Sequence, residues 1–253
     1  MGLPLHLEVI NAPATSAVIA LCVGVWAMIQ KRGGGYEHVG VSYETGVAGR
    51  EYWRWVTAAL SHVSILHLIF NMSALWSMRV VERGAGGSLA YLRLSLLIGV
   101  ASMGIYALTY HVLIQPPWPL SRWLAGNERL RRVTAVGYSG VVFGWMAATA
   151  LQRPTGGYFD FLGLFQLPAH LAPFGSLLLT QVLIPQASFV GHLSGIVVGY
   201  AVAAGAFKWF DNFWAACLLA WVAGGALISY KRTQGASSPY MSWLQVDRAA
   251  DRA

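Results

Sequence analysis

Gly137-Tyr138-Ser139-Gly140-Val141-Val142-Phe143-Gly144-Trp145-Met146-Ala147-Ala148-Thr149-Ala150-Leu151 is the stretch on which the fold turns. From Ser139 it stays apolar until Gln152-Arg153-Pro154. That is about 13 residues, short of the ~20 that a full membrane crossing needs. The segment must therefore begin below the membrane surface, which drops Ser139 to the floor of a cavity. Polar side chains at that depth are costly and face a bundle interior or a water-filled path.

Working outward, the same oddity recurs. His192 lies in Gly191-His192-Leu193-Ser194-Gly195, which opens another apolar run, and His67 and Asn71 stand four residues apart in a third. Apolar runs are expected as spans at about 14–29, 62–81, 89–110, 139–152, 171–184, 190–207 and 213–229. The first ends at Lys31-Arg32-Gly33-Gly34-Gly35 and the second at Glu82-Arg83-Gly84. Between them a loop carries Tyr36, Tyr43, Tyr52, Trp53 and Trp55, residue types that sit at headgroup level. A Pro- and Arg-rich loop holding Pro116-Pro117 and Arg131-Arg132 follows the third. The expected fold class is all-α, a polytopic transmembrane helical bundle in one membrane domain over 1–230, with a polar tail at 231–253.

Bulk composition agrees. Of 253 residues 56% are hydrophobic and 11% charged, against ~25% charged in a soluble domain. The formal charge of +7 raises nucleic acid as a partner, but the basic residues are scattered through short loops without an aromatic-basic stripe. Anionic lipid headgroups fit better, and no nucleic acid is expected. Cys22 and Cys217 both fall in apolar spans and imply no disulfide framework. The first dozen residues carry no Lys or Arg, so neither a signal-peptide n-region nor an Arg-rich transit peptide is expected there. Gly2 fails as a myristoylation site because His6 stands where Ser or Thr is needed.

Small residues mark where helices touch. Gly140 and Gly144 are four apart, as are Gly191, Gly195 and Gly199. Backbones approach closely at such positions, and packing of the fourth span on the sixth would bring Ser139 and His192 together. A serine hydroxyl needs a base to take its proton, and His192 is the candidate. No Asp or Glu lies in a span near it, which predicts a dyad rather than a triad; a buried carboxylate would add a desolvation cost. Phe143, four residues after Ser139 and on the same helix face, is placed to stack on the imidazole. Oxyanion donors would be the Asn71 amide, His67 on the same face, and the Ser139 N–H at a helix N-terminus. His62, five residues before His67 and about 140° round a continuous helix, is given a structural or water-binding role. Gly-Tyr-Ser-Gly is not a nucleophile elbow, since Val141 stands where that pattern needs Gly. His62 and His67 lack metal-ligand spacing, and neither metal nor cofactor is called for.

Trp53-Arg54 in the first loop, the run His62-Val63-Ser64-Ile65-Leu66-His67-Leu68-Ile69-Phe70-Asn71, Gly137-Tyr138-Ser139-Gly140, and His192-Leu193-Ser194-Gly195 occur in that order. In this combination the chain resembles the rhomboid family of intramembrane serine proteases over nearly all of its membrane region. The resemblance implies a six-helix core, here with a seventh C-terminal helix. It implies a Ser139–His192 dyad, an oxyanion hole of His67, Asn71 and the Ser139 amide, and Phe143 stacked on His192. It also implies a first loop half-sunk in the bilayer and anchored by Trp53-Arg54. Ala14-Thr15-Ser16, Tyr43-Glu44-Thr45 and Pro185-Gln186-Ala187-Ser188-Phe189 look like a plant rhomboid-like branch.

The implied activity is a serine endopeptidase cutting transmembrane protein substrates, in the Golgi, the endoplasmic reticulum or the plasma membrane rather than a plastid or mitochondrion. The alternative is a catalytically inactive relative that binds membrane clients for trafficking or degradation. A channel using His67, Asn71 and His192 along a polar path leaves the glycines beside Ser139 and His192 unexplained. The orientation typical of relatives puts Arg79, Arg83, Arg93, Arg153 and Lys208 in inner loops. It puts Lys31, Arg32, Arg50, Arg54, Arg122, Arg129, Arg131 and Arg132 outside, against the positive-inside rule.

Overall fold

The computed structural model describes residues 4–115, 127–152, 157–161 and 165–233. Pro116-Pro117, Arg122, Arg153 and the tail beyond 233 lie outside the described residues. The chain begins with α1 (Leu5–Asn11), α2 (Pro13–Arg32) and α3 (Tyr36–Val39), then a π-helical turn at Glu44–Ala48. α4 (Arg54–Leu60), α5 (Ile65–Ser77), α6 (Val80–Gly84), α7 (Ser88–Ile114) and α8 (Glu128–Arg131) come next. After α9 (Ser139–Leu151) come the strands β1 (Tyr158–Phe161) and β2 (Phe165–Pro168). The fold closes with α10 (Ala172–Leu183), α11 (Phe189–Ala203) and α12 (Asn212–Thr233).

The fold is a polytopic helical one. Among the described residues α2, α7 and α12 are each long and apolar enough to cross a membrane. α4 and α5 would make a fourth crossing together, bent by 84° between them. α9, α10 and α11 are apolar but shorter, at 13, 12 and 15 residues.

Four features differ from the sequence expectation. The span expected over 62–81 is interrupted: Ser61 and Ser64 are extended, α5 starts only at Ile65, and it stops at Ser77. His62 thus precedes the helix, and the 140° offset assigned to it does not apply. The sixth span ends at Ala203, where Gly205 adopts φ +82. The last helix carries on through Lys231 and Arg232 to Thr233. Finally, an antiparallel hairpin pairs Phe159 with Leu167 and Phe161 with Phe165, an element that an all-α expectation leaves out.

The core sits where α2, α5, α7, α9 and α11 converge, on Cys22, Leu68, Leu75, Tyr91, Ile98, Val142 and Val198 among others. Trp145 stacks on Tyr91 with ring centroids 5.2 Å apart and donates its indole N–H to the Ser95 hydroxyl at 2.8 Å. An indole buried among helices without that acceptor would leave a polar group unpaired.

Two contacts fix the frame around this core. α9 and α11 meet through glycine: a Cβ added at Gly195 would overlap the Gly140 carbonyl, and one at Gly199 the Gly144 carbonyl. Glu82, 1% exposed, turns back onto the start of α2 and accepts the N–H groups of Ala14 at 3.0 Å and Thr15 at 2.9 Å. The Ser88 hydroxyl donates to it as well. These are first-turn N–H groups without intrahelical acceptors, and the helix dipole favours an anion there. On sequence alone Glu82 reads as a stop after a span; in the fold it is a cap on another helix.

Candidate active site

Ser139 and His192 each lie in the first turn of a helix. α9 starts at Ser139 itself, after Gly137 has turned the chain with φ +102. α11 starts one turn before His192, where the Ser188 hydroxyl accepts the Gly191 N–H at 3.1 Å as an N-cap. With the glycine seams holding the two helices together, Ser139 Oγ and His192 Nε2 stand 2.8 Å apart, both residues buried. In the tautomer in which Nε2 accepts the hydroxyl proton, the ring hydrogen sits on Nδ1. That nitrogen is buried and makes no hydrogen bond among the described residues. Nor does a carboxylate among them orient the ring. Phe143 lies against it instead, centroids 4.4 Å apart and planes 25° from parallel.

α5 supplies the opposite wall. His67 and Asn71 are both buried on its inner face, and the Asn71 amide donates to the His67 carbonyl at 3.2 Å, leaving one amide hydrogen uncommitted. The His67 ring faces the turn before Ser139 so closely that a Cβ at Gly137 would lie 2.8 Å from its Cε1. His62 packs on His67 with centroids 5.1 Å apart, and its own Nε2 would be 3.3 Å from the same Cβ. The rings of His62 and His67 thus flank Gly137. A side chain there would meet both strain and collision.

A cleft with about 50 Å³ of room for water opens over this group. Ser139, His192, Gly137 and Gly140 line one part of it, and Ala58, Gly99, Ser102 and Met103 another. The Ser102 hydroxyl is buried and has no hydrogen-bond partner among the described residues. Sequence reading gives neither Ser102 nor Gly137 a role of its own, because an isolated Ser or Gly beside an apolar run carries no local signal of what it will face.

The rhomboid-domain profile of the family matches residues 49–209, and every residue of this site lies inside that range. The chain belongs to the rhomboid family. It is similar to Rhomboid-like protein 15 of Arabidopsis thaliana, 28% identical over 77% of this chain and 47% of the relative. It is also similar to Rhomboid-related protein 4 of Mus musculus, 32% identical over 78% of this chain and 58% of the relative. Rhomboid protease GlpG of Yersinia enterocolitica is 26% identical over 60% of this chain and 55% of its own length. The chain thus spans about half of these curated relatives. The Arabidopsis likeness is consistent with the plant-branch reading, and the family includes proteases by name.

Within this rhomboid domain the Trp53-Arg54 pair organises the first loop. Arg54 is 2% exposed. Its Nη1 donates to three backbone carbonyls, of Glu37 at 3.0 Å, His38 at 2.8 Å and Gly40 at 3.0 Å, and its Nε to the Glu51 carboxylate. A guanidinium offers five donors in a fixed fork, so one buried side chain closes the loop upon itself. The loop is then tied to the serine turn: the Gly137 N–H donates to the Ala58 carbonyl at 2.8 Å, and Val41 bridges Ala135.

Proposed function

We propose that this rhomboid-family chain is an intramembrane serine endopeptidase that cleaves transmembrane segments of membrane proteins, with Ser139 as nucleophile and His192 as base. What supports this most is the buried 2.8 Å contact between Ser139 Oγ and His192 Nε2 at the floor of a cleft. Ser139 Oγ attacks the scissile carbonyl carbon while its proton passes to His192 Nε2, and the carbonyl π pair moves onto oxygen. The oxyanion is met by the Ser139 N–H at the start of α9, the free amide hydrogen of Asn71, and the His67 ring. Collapse breaks the C–N bond, and His192 returns the proton to the leaving amine. A water molecule then repeats the sequence on the acyl-enzyme and frees the acid.

A substrate helix hides its carbonyls in its own hydrogen bonds, so the segment must unwind locally to reach Ser139. Helix-breaking Gly or Pro and small side chains near the cleavage site are the expected substrate features. The test is labelling of the detergent-solubilised protein with a fluorophosphonate, beside Ser139→Ala and His192→Ala. Label on wild type that is absent from both variants is expected. No label on folded wild type would overturn the proposal in favour of a client-binding, inactive relative.

A further inference from the structure

Arg50 is the one non-glycine residue with positive φ among the described residues, at φ 56. Side-chain-bearing residues avoid that left-handed region because Cβ crowds the following carbonyl. Such a conformation persists where surrounding contacts over-determine it. Local bonds hold part of the turn, with the Arg50 N–H donating to the Val47 carbonyl at 3.3 Å and the Glu51 N–H to the Thr45 carbonyl at 3.0 Å, and the rest of the contacts come from the far end of the chain. Ser229, 3% exposed on the last turns of α12, donates its hydroxyl to the Arg50 carbonyl and accepts the Tyr52 N–H at 2.8 Å. One hydroxyl thus closes the turn on both sides, across 177 residues of sequence.

From that turn the chain runs toward the nucleophile. Tyr52 is followed by Trp53, the N-cap of α4, and by Arg54, its first residue. α4 carries Ala58, whose carbonyl holds the Gly137 N–H at 2.8 Å, two residues before Ser139. α12 is otherwise the least buried of the long helices, with 6% of its apolar window inside the protein. At its start Arg93 on α7 donates to the Asn212 side chain at 3.2 Å, and at its end Ser229 reaches the first loop.

We propose that Ser229 is a positioning residue for the serine turn: by latching Arg50 and Tyr52 it sets α4, and α4 sets Gly137 and Ser139 through Ala58. This rests on the proposed role of Ser139 for its kinetic consequence but not for its structural one. The seventh helix is then a working part of the site rather than an appended anchor.

Hydrogen exchange on the purified full chain tests it without requiring activity. In Ser229→Ala the Tyr52 amide loses its direct acceptor, and the Gly137 amide is expected to exchange at least about tenfold faster as well. Ser229→Thr, which keeps the hydroxyl, retains wild-type protection. Arg50→Gly removes the left-handed constraint, and the double variant Arg50→Gly/Ser229→Ala recovers part of the Gly137 protection. The fluorophosphonate labelling rate of Ser139 falls in Ser229→Ala and returns in Ser229→Thr. Unchanged Gly137 exchange in a folded Ser229→Ala protein would overturn the proposal. If wild type takes no label, the protease reading fails, while the Gly137 exchange still decides for or against the latch.

Discussion

His192 and Phe143 lie face to face, their ring centroids 4.4 Å apart. In the proposed mechanism the phenyl ring would hold the imidazole as a carboxylate does in a triad, by contact rather than charge. A stacked ring restricts tilt without adding a second buried ion to an apolar interior. Replacing Phe143 by Leu should leave the protein folded, at a cost of about 1 kcal/mol from the lost ring pair. Fluorophosphonate labelling should slow about tenfold as the imidazole loses its preferred orientation. A labelling rate equal to wild type would show that the ring orients nothing.

Asn71 separates transition-state stabilisation from packing. Its Nδ2 makes one hydrogen bond, to the His67 carbonyl, which is part of the α5 backbone and keeps its own helical bonding. Asn71→Ala should therefore shift the melting temperature little. Peptide-bond cleavage of a transmembrane reporter should fall by about 10²–10³, the cost of losing an oxyanion donor. Measured KM should change far less than kcat.

Glycines in two places predict opposite effects. Gly199 on α11 has no room for a methyl group against the Gly144 backbone, whereas a Cβ at Gly224 on α12 meets nothing within 4 Å. Gly199→Ala should force α9 and α11 apart and cost about 1–3 kcal/mol, as overpacking does. Gly224→Ala should be neutral or stabilise by up to about 1 kcal/mol through helix propensity. Thermal melts of both in one detergent give the comparison, and equal shifts would refute the close α9–α11 seam.

Glu82 gives the fold a pH limit. Burial alone would raise its carboxyl, but the hydrogen bonds from Ser88, Thr15 and Ala14 outweigh it and hold the group below the usual carboxylate range. Its folded-state pKa is thus depressed, so its contribution is complete above the unfolded-state value of about 4.3 and is lost as pH falls through the folded value. Wild-type stability should decline on acidification below about pH 4.3. Glu82→Gln should be less stable at neutral pH and flatter across that range. A variant whose acid limb matches wild type would remove Glu82 from this role.

Much of this architecture is legible along the chain. The four-residue spacing of Gly191, Gly195 and Gly199 against Gly140 and Gly144 announces a close helix pair, and the shortness of the run from Ser139 announces a helix of 13 residues. Other features are not local. The 84° bend between α4 and α5 leaves the apolar run intact, because Ser61, His62 and Ser64 interrupt hydrogen bonding more than hydrophobicity. The capping of α2 by Glu82 joins residues 67 and 68 apart, and the latch from Ser229 to Arg50 spans 179. No window of sequence contains both partners. His62 escapes a local reading for the same reason: its position relative to His67 depends on where the helix begins, and that depends on the loop that Arg54 gathers.

α10 has a consequence for the lipid around it. Its 12 residues rise only about 18 Å, and Leu178, Val182 and Leu183 point outward, 63%, 75% and 59% exposed. A hydrocarbon layer of ~30 Å cannot match that height without deforming. Lipid packed against those side chains would have to thin to meet α10, so the cost of seating this helix depends on the thickness of the bilayer around it.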